Sequence, residues 1–423
     1  MFKKTLALLL AAALAVGITS CAGGTDGKDN SGNANNGGQA ETKELNLWHY
    51  WDSESQQALL ADMVKSYKDE TGGPTIKISY IPYSEYIQKI LVTAAGGDLP
   101  ELFIYDGNST ATFVEAGILA DITDRINESG VMKDTLEGVV AEHEVAGKLY
   151  GFPVYANCVA LFYRTDLIET PPTTWDQLYE TAKSVATDDM YGFAMAGGAG
   201  EDAVFQFLPF MWSAGEDLDN VAAPGTVEAL DMFSTMIKEG VMSSDTVNHS
   251  QEDARVLFET GRVAMMLNGP WNVVPLQENA PDMEWDLAMI PKKADGEFAS
   301  ILGGESFGIG KDTDIDGIWN FVEYLVEPER YQEFLKGLGQ LPADSVLAED
   351  PYYQDDPINK VFIDQLKSAR PRAYGGKYNE MSKALQTAIS SAMSGDQSAQ
   401  DALNDAAATI TPLYEEFKAS EGK

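Results

Sequence analysis

Leu45-Asn-Leu-Trp48, Thr75-Ile-Lys-Ile-Ser-Tyr80 and Leu102-Phe-Ile-Tyr105 are the three stretches on which the fold reading turns. The first starts as a strand, the second alternates apolar and polar residues, and the third is a short apolar run suited to a buried strand. Between them, Leu60, Met63, Val64 and Tyr67 recur at helical spacing, and Glu85 to Ala95 reads as a second helix that stops at Gly96-Gly97. Ser53-Glu-Ser-Gln56 is expected to form a capping box at the start of the first helix. This βαβαβ order predicts a mostly parallel sheet with helices on both faces.

The same rhythm resumes downstream. Gly151 to Tyr163 reads as extended chain, Pro171-Pro172 breaks it, and Thr174-Trp-Asp-Gln177 caps a new helix. Val263 to Leu267 and Trp285 to Ile290 read as strands. A Gly-rich extended segment near residue 305 precedes Ile318, Phe321, Val322, Leu325 and Val326 at helical spacing. Ala402, Leu403, Ala406, Ala407 and Ile410 share one face of a C-terminal helix. No repeat or heptad array is present, and the strands divide into two sheets assigned to two lobes of an α/β fold.

Composition bounds the function. The 423 residues suffice for two or three domains or one large two-lobed body. A net charge of −37 repels phosphate backbones and anionic lipid, which argues against nucleic-acid binding and a basic membrane patch. Cys21 and Cys158 are the only cysteines, and His49, His143 and His249 lie too far apart to share a helix face. A zinc site or disulfide framework is therefore not expected, and neither is any cofactor.

At the N-terminus, Lys3-Lys4 precedes an apolar run from Leu6 to Val16, shorter than the roughly 20 residues a membrane span needs. It ends in Ile18-Thr19-Ser20-Cys21, which resembles the lipobox of bacterial lipoproteins; Cys21 would then carry the lipid. Residues 1–20 read as a lipoprotein signal peptide. Residues 21–44, Gly- and Asn-rich and without aromatics, read as a flexible tether. The expected location is the extracellular face of the cell membrane.

Few motifs carry catalytic chemistry. No Gly-rich phosphate loop stands where strand meets helix, and no nucleophile elbow is present. No carboxylate pair is singled out as a glycosidase site, which separation in space would have to reveal. Asp312-Thr-Asp314-Ile-Asp316-Gly317 followed by Glu323 satisfies the EF-hand expression, but the helical pattern already begins at Ile318. A calcium loop and a helix-capping surface turn both remain open there, and no metal is assigned.

Aromatic residues cluster at chain breaks: Trp48-His49-Tyr50-Trp51-Asp52, Tyr105-Asp106-Gly107-Asn108, Tyr155-Ala-Asn157 and Asn268-Gly-Pro-Trp271. Such faces beside Asp, Asn and Arg suit a sugar, whose C–H face packs on the ring while its hydroxyls bond amides and carboxylates. In open α/β sheets ligands gather at the carboxyl ends of strands, where these clusters sit. Tyr83 is a further candidate.

The order of segments resembles the extracellular solute-binding proteins of ABC sugar importers, the maltose-binding-protein-like group. The resemblance rests on Gly96-Gly-Asp-Leu-Pro-Glu-Leu-Phe103, Phe113-Val-Glu-Ala-Gly-Ile-Leu-Ala-Asp-Ile-Thr123, Gly147-Lys-Leu-Tyr-Gly-Phe-Pro153 and Leu161-Phe-Tyr-Arg-Thr-Asp-Leu167. Pro172-Thr-Thr-Trp-Asp-Gln-Leu178, Gly261-Arg-Val-Ala-Met-Met-Leu-Asn-Gly-Pro-Trp271, Gly303-Gly-Glu-Ser-Phe-Gly-Ile309 and Leu341-Pro-Ala343 extend it to nearly the whole body. It implies a type II, periplasmic-binding-protein-like fold, with two hinge-linked lobes of mixed, mostly parallel sheets. Crossings would fall near Ala156–Cys158, Leu302–Gly304 and Gln340–Ala343. One lobe would be 45–155 plus 304–342 and the other 156–303 plus 343–423.

The resemblance also implies the roles. A monomeric, non-enzymatic receptor traps a mono- or oligosaccharide between its lobes and delivers it to the permease subunits. Trp48, Asp52, Tyr105 and Asn108 would line the first lobe's side, and Trp271 matches a family stacking tryptophan. Asn157 stands at the hinge where a family member uses a carboxylate. Gly304, Glu305, Trp212, Arg372 and Tyr374 are placed by neighbourhood, as Tyr50, Trp51, Asp106, Tyr155 and Asn268 are by their clusters. Met381 and Ser382 stand where an aromatic stack would be, which argues against assuming a maltodextrin ligand. The competing readings are a receptor for a polyamine or other cationic solute, and a secreted glycosidase.

Overall fold

A computed structural model describes residues 44–421. The signal peptide, the tether and Cys21 lie outside the described residues, apart from Glu44. None of the described helices is long and apolar enough to cross a membrane.

The three opening stretches form strands Leu45–His49, Ile76–Tyr80 and Leu102–Asp106, joined by helices Glu54–Thr71 and Tyr83–Gly96. Leu45–His49 lies between the other two and pairs in parallel with both, as crossover connections require. Its Leu45, Leu47 and His49 are buried while Asn46 and Trp48 are half-buried, so one face meets the core. Leu102–Tyr105 is buried throughout. Strands Glu305–Ile309 and Phe152–Pro153 complete this five-stranded sheet.

The capping box does not form. The Ser53 hydroxyl pairs with that of Ser55 at 2.7 Å and caps nothing. Gln57 instead donates its amide to the carbonyls of Trp51 (3.0 Å) and Asp52 (3.2 Å). Gln56 is thereby free to line the cavity at the strand ends.

A second sheet orders Trp285–Ala288, Ala160–Arg164, Val263–Asn268 and Tyr191–Ala194. Only the last pair is parallel, so this sheet is mixed rather than mostly parallel. The reason is connectivity. Ala160–Arg164 follows Phe152–Pro153 of the first sheet, and Glu305–Ile309 follows Ser300–Ile301 of a separate two-stranded pair, so no strand–helix–strand crossover sets their direction. Leu161 and Tyr163 face one core with Leu208, Phe233 and Leu385, whereas Ala160 and Phe162 face another with Phe258 and Phe362. A sheet covered on both faces explains the continuous apolar pattern of Val263–Leu267.

The three segments expected to cross between lobes lie side by side. Ala156 bridges Leu341, Asn157 bridges Gly303, and Ala156, Leu302 and Ala343 share a small core with Val139. Gly304 adopts φ 150°, and a Cβ there would stand 2.1 Å from the Tyr155 carbonyl oxygen. Only glycine fits this close passage.

Candidate functional site

A cavity of about 310 Å³ opens where the carboxyl ends of the first sheet's strands meet the helix starts beside the second. That volume is at the lower end of what small-molecule sites usually offer. Tyr50, Trp51 and Asp52 reach it because they directly follow strand Leu45–His49. Tyr83 opens helix Tyr83–Gly96, Asp106 ends its strand, and Glu305 begins the antiparallel neighbour, directly opposite Asp106. Across the cavity, Glu201 and Asp202 start helix Glu201–Ser213, with Phe205 one turn on. Ser250, Gln251 and Glu252 start helix Gln251–Glu259, and Trp271 follows strand Val263–Asn268. Tyr155, Asn157, Gly303, Gly304 and Gln340 come from the crossing segments, and Arg372 follows strand Ala369–Arg370.

Two groups of aromatic rings stand on the first side. The Tyr50 ring lies 5.1 Å from Tyr83 and 4.9 Å from Tyr86, and Trp51 lies 6.1 Å from Tyr155. Opposite, Trp271 is half-buried with its ring 6.2 Å from that of Phe205.

Arg372 is the electrostatic centre, its side chain fully enclosed. Nη2 donates to both Asp106 oxygens at 3.0 and 3.1 Å, and Nη1 donates to Glu201 Oε1 at 2.8 Å. The guanidinium carbon lies 4.7 Å from the Phe205 ring centre, and the backbone N–H donates to Glu142 at 3.0 Å. Glu201 also accepts from Tyr378 at 2.5 Å and from Ser382. Burial pushes Glu142 and Glu305 up to about 8 and Asp202 up to about 6. For Glu305, the facing Asp106 charge adds to this, while the Tyr155 and Tyr50 phenols pull the other way.

Among the described residues, six polar atoms on this surface are closed off without a hydrogen-bonding partner: Tyr50 Oη, Trp51 Nε1, Asn157 Oδ1, Glu305 Oε2, Gln340 Oε1 and Arg372 Nε. Buried polar atoms are normally bonded, so such a concentration marks a surface built for something else to bond.

Eleven of the expected residues line this cavity: Tyr50, Trp51, Asp52, Tyr83, Asp106, Tyr155, Asn157, Trp271, Gly304, Glu305 and Arg372. Six do not. Trp48 lies within its strand and points toward Lys89, whose Nζ is 5.2 Å from the ring centre. Tyr105 is buried with its hydroxyl 3.1 Å from Thr110 Oγ1. Asn108 accepts from Ser109 at 2.9 Å within the turn after that strand. Asn268 holds the wall from behind, donating to the Gln251 carbonyl at 2.9 Å and accepting from Asn272 at 2.6 Å. Trp212 and Tyr374 are buried and both donate to Asp217, at 3.3 and 2.5 Å.

Sequence reasoning missed Glu201, Asp202, Phe205 and the Ser250–Glu252 turn. Ser250 with Asp253 is a capping box legible in the sequence, and it would have marked one of these helix starts. The EF-hand pattern does not make a loop. Helix Ile315–Leu325 takes up its second half, and Asp316 pairs with Arg125. Among the described residues no three carboxylate, imidazole or thiol groups are placed to hold a metal ion.

The family model for bacterial extracellular solute-binding proteins matches residues 62–361. A binding protein of Brucella abortus is 25% identical over 366 residues, covering 82% of this chain and 87% of its own. A maltooligosaccharide ABC transporter solute-binding lipoprotein of Streptococcus pneumoniae is 21% identical over 406 residues, covering 91% and 92%. The structure of an ABC transporter solute-binding protein from Thermotoga lettingae, bound with α-D-tagatose, superposes with a TM-score of 0.81 at 21% identity. It covers 88% of this chain and 100% of that one, which establishes the two-lobed α/β fold. By its sequence match and its architecture, this chain belongs to the bacterial extracellular solute-binding protein family.

Proposed function

We propose that this chain is the sugar receptor of an ABC importer, anchored outside the cell through a lipid on Cys21. It captures a mono- or oligosaccharide between lobe 45–155 plus 304–342 and lobe 156–303 plus 343–423, and presents it to the permease. It acts as a monomer, without a cofactor and without catalysis. The carrying observation is the set of six unpartnered polar atoms interleaved with the faces of Tyr50, Trp51, Tyr155 and Trp271. Trp51 Nε1 and Arg372 Nε can only donate, Asn157 Oδ1 and Gln340 Oε1 can only accept, and Tyr50 and Glu305, the latter held up to about 8 by burial, can do either. A polyol presents hydroxyls that donate and accept from one ring whose C–H face packs on the aromatics. The crossing segments allow the lobes to close on it by a hinge motion.

The test is titration of the chain with neutral mono- and oligosaccharides and with spermidine, followed by calorimetry and tryptophan fluorescence. Saturable one-site binding of a saccharide, recovered intact after hours of incubation, is the expected result. Indifference to every saccharide contradicts the receptor reading, and cleaved product contradicts the absence of catalysis. Labelled fatty acid should enter the chain in cells and should not enter Cys21→Ser.

A further inference from the structure

The cavity's charges do not balance. Six lining residues are carboxylic acids, Asp52, Asp106, Glu201, Asp202, Glu252 and Glu305, and one is a cation, Arg372. Arg372 is consumed by Asp106 and Glu201. Glu252 is met from outside the cavity by Arg255, which it shares with Glu259. Asp52, Asp202 and Glu305 form no salt bridge among the described residues.

Glu305 is the most exacting of the three. It stands opposite Asp106 in the antiparallel pair, a placement in which two like charges repel. Arg372 bonds Asp106 directly and reaches Glu305 only through space. Glu305 Oε2 is closed off and accepts no hydrogen bond. The walls around it add buried acceptors, Asn157 Oδ1 and Gln340 Oε1, also unpartnered in side chains 5% and 4% exposed. A neutral hydroxyl would add one hydrogen bond and leave Glu305 a buried, uncharged acid. An ammonium supplies three donors and a positive charge to the same point, and aromatic faces nearby favour a cation further. Buried charge is tolerated when it is paired and bonded; the protein alone holds Glu305 up to about 8, and a bound ammonium would stabilise its carboxylate.

We propose that the physiological ligand is an amino sugar, whose protonated amine is the counter-ion of Glu305. This rests on the saccharide reading and narrows it. The ring still packs on Trp51 and Trp271, and its hydroxyls still meet Asn157, Gln340 and Arg372. What changes is that one ring substituent is a cation.

The test compares sugars that differ only by an ammonium in place of a hydroxyl. Glucosamine and galactosamine, and the glucosamine disaccharide, are titrated into the intact chain beside glucose, galactose and cellobiose. Spermidine is added as a cation without a ring. At least one amino sugar should bind about tenfold or more tighter than its hydroxyl counterpart. Glu305→Gln should shrink that preference to about threefold or less, whatever it does to the affinity for the neutral sugar itself. Glu305→Met, also neutral and of similar size, serves the same purpose if Glu305→Gln does not fold. Neutral sugars binding as tightly as their amino counterparts would overturn the amine assignment and leave the sugar receptor standing. Binding of no saccharide, with or without binding of spermidine, would overturn both. A preference that survives Glu305→Gln, or Glu305→Met in its place, would overturn the role given to this carboxylate.

Discussion

Glu305 and Glu201 face one cavity from opposite walls, and their surroundings differ. Glu201 is saturated: Arg372, Tyr378 and Ser382 all donate to it. Glu305 keeps one closed-off oxygen without a donor, and Tyr50 and Trp51 beside it keep unpartnered polar atoms too. The wall beside the second sheet is therefore built to hold its own shape. The wall at the first sheet's strand ends lacks bonds that only a ligand can supply. Rigidity on one side with unmet polarity on the other is how a site achieves preorganisation without satisfying itself.

The largest expected effect lies at Arg372, which ties Asp106 of one wall to Glu201 of the other. Arg372→Met leaves Asp106 and Glu201 facing each other's neighbourhood without their shared cation, beside buried Glu142. Breaking a buried ion pair from one side costs about 3–5 kcal/mol. Urea unfolding should report a loss of that size, and the double variant Arg372→Met, Asp106→Asn should lose less than Arg372→Met alone. An unchanged midpoint would mean the wall is not held by this network.

Trp271→Ala probes the contact surface instead. The ring is half-buried and packs on Phe205, so its removal should spare the fold. It should cost about 1–3 kcal/mol of saccharide affinity, as loss of an aromatic anchor does. Calorimetry showing full affinity would remove Trp271 from the site.

The two walls were not equally legible in the sequence. Tyr50–Asp52, Asp106 and Tyr155 were found because strand ends announce themselves: an apolar run stops, and the residues just beyond it must continue along the strand axis. The same reasoning overreached by one or two residues at Trp48 and Tyr105, which lie inside their strands and are turned aside by the pleat. Asn268 fell to another cause, a turn that uses its amide internally. On the far wall, Glu201, Asp202 and Glu252 read as ordinary first-turn acids that complement a helix dipole. Nothing local says that two such helix starts converge, because that depends on where the second sheet places them. Trp212 and Tyr374 stay out of the cavity, Trp212 through a contact five residues away and Tyr374 through a distant one. Both find their partner in Asp217, a contact made across 157 residues in the case of Tyr374.

The unmet wall should also show in the pH dependence of stability. Burial holds Glu305 and Glu142 at about 8, well above an unfolded carboxyl group. Between those values the folded chain binds more protons than the unfolded one, so its stability falls as pH rises and is lost through about pH 8. His49 and His143 act in the opposite sense: burial lowers them from 6.5 to about 4, so their contribution rises with pH across that range. Above pH 6.5 only the two glutamates of this set still act, and ligand-free stability should decline toward pH 8. Glu305→Gln should flatten part of that decline in thermal melts. A slope identical to that of the parent would show Glu305 to be ionised throughout, and the contrast between the walls would weaken.

The smallest effect tests how the far wall is positioned. Ser250 caps helix Gln251–Glu259 reciprocally with Asp253: its Oγ accepts from the Asp253 N–H at 3.2 Å, and Asp253 accepts from the Ser250 N–H at 2.9 Å. The turn so fixed presents Ser250, Gln251 and Glu252 to the cavity, and the Gln251 N–H reaches across to Asp202 at 3.4 Å. Ser250→Ala removes one half of the cap and should cost about 1 kcal/mol of stability. Because the turn is also tied by Asn268 to the Gln251 carbonyl, its position should survive, and ligand affinity should fall only a few-fold. A drop in affinity as large as that of Trp271→Ala, with stability little changed, would mean the Ser250 hydroxyl itself meets the ligand. The far wall would then be reading the solute and not merely backing it.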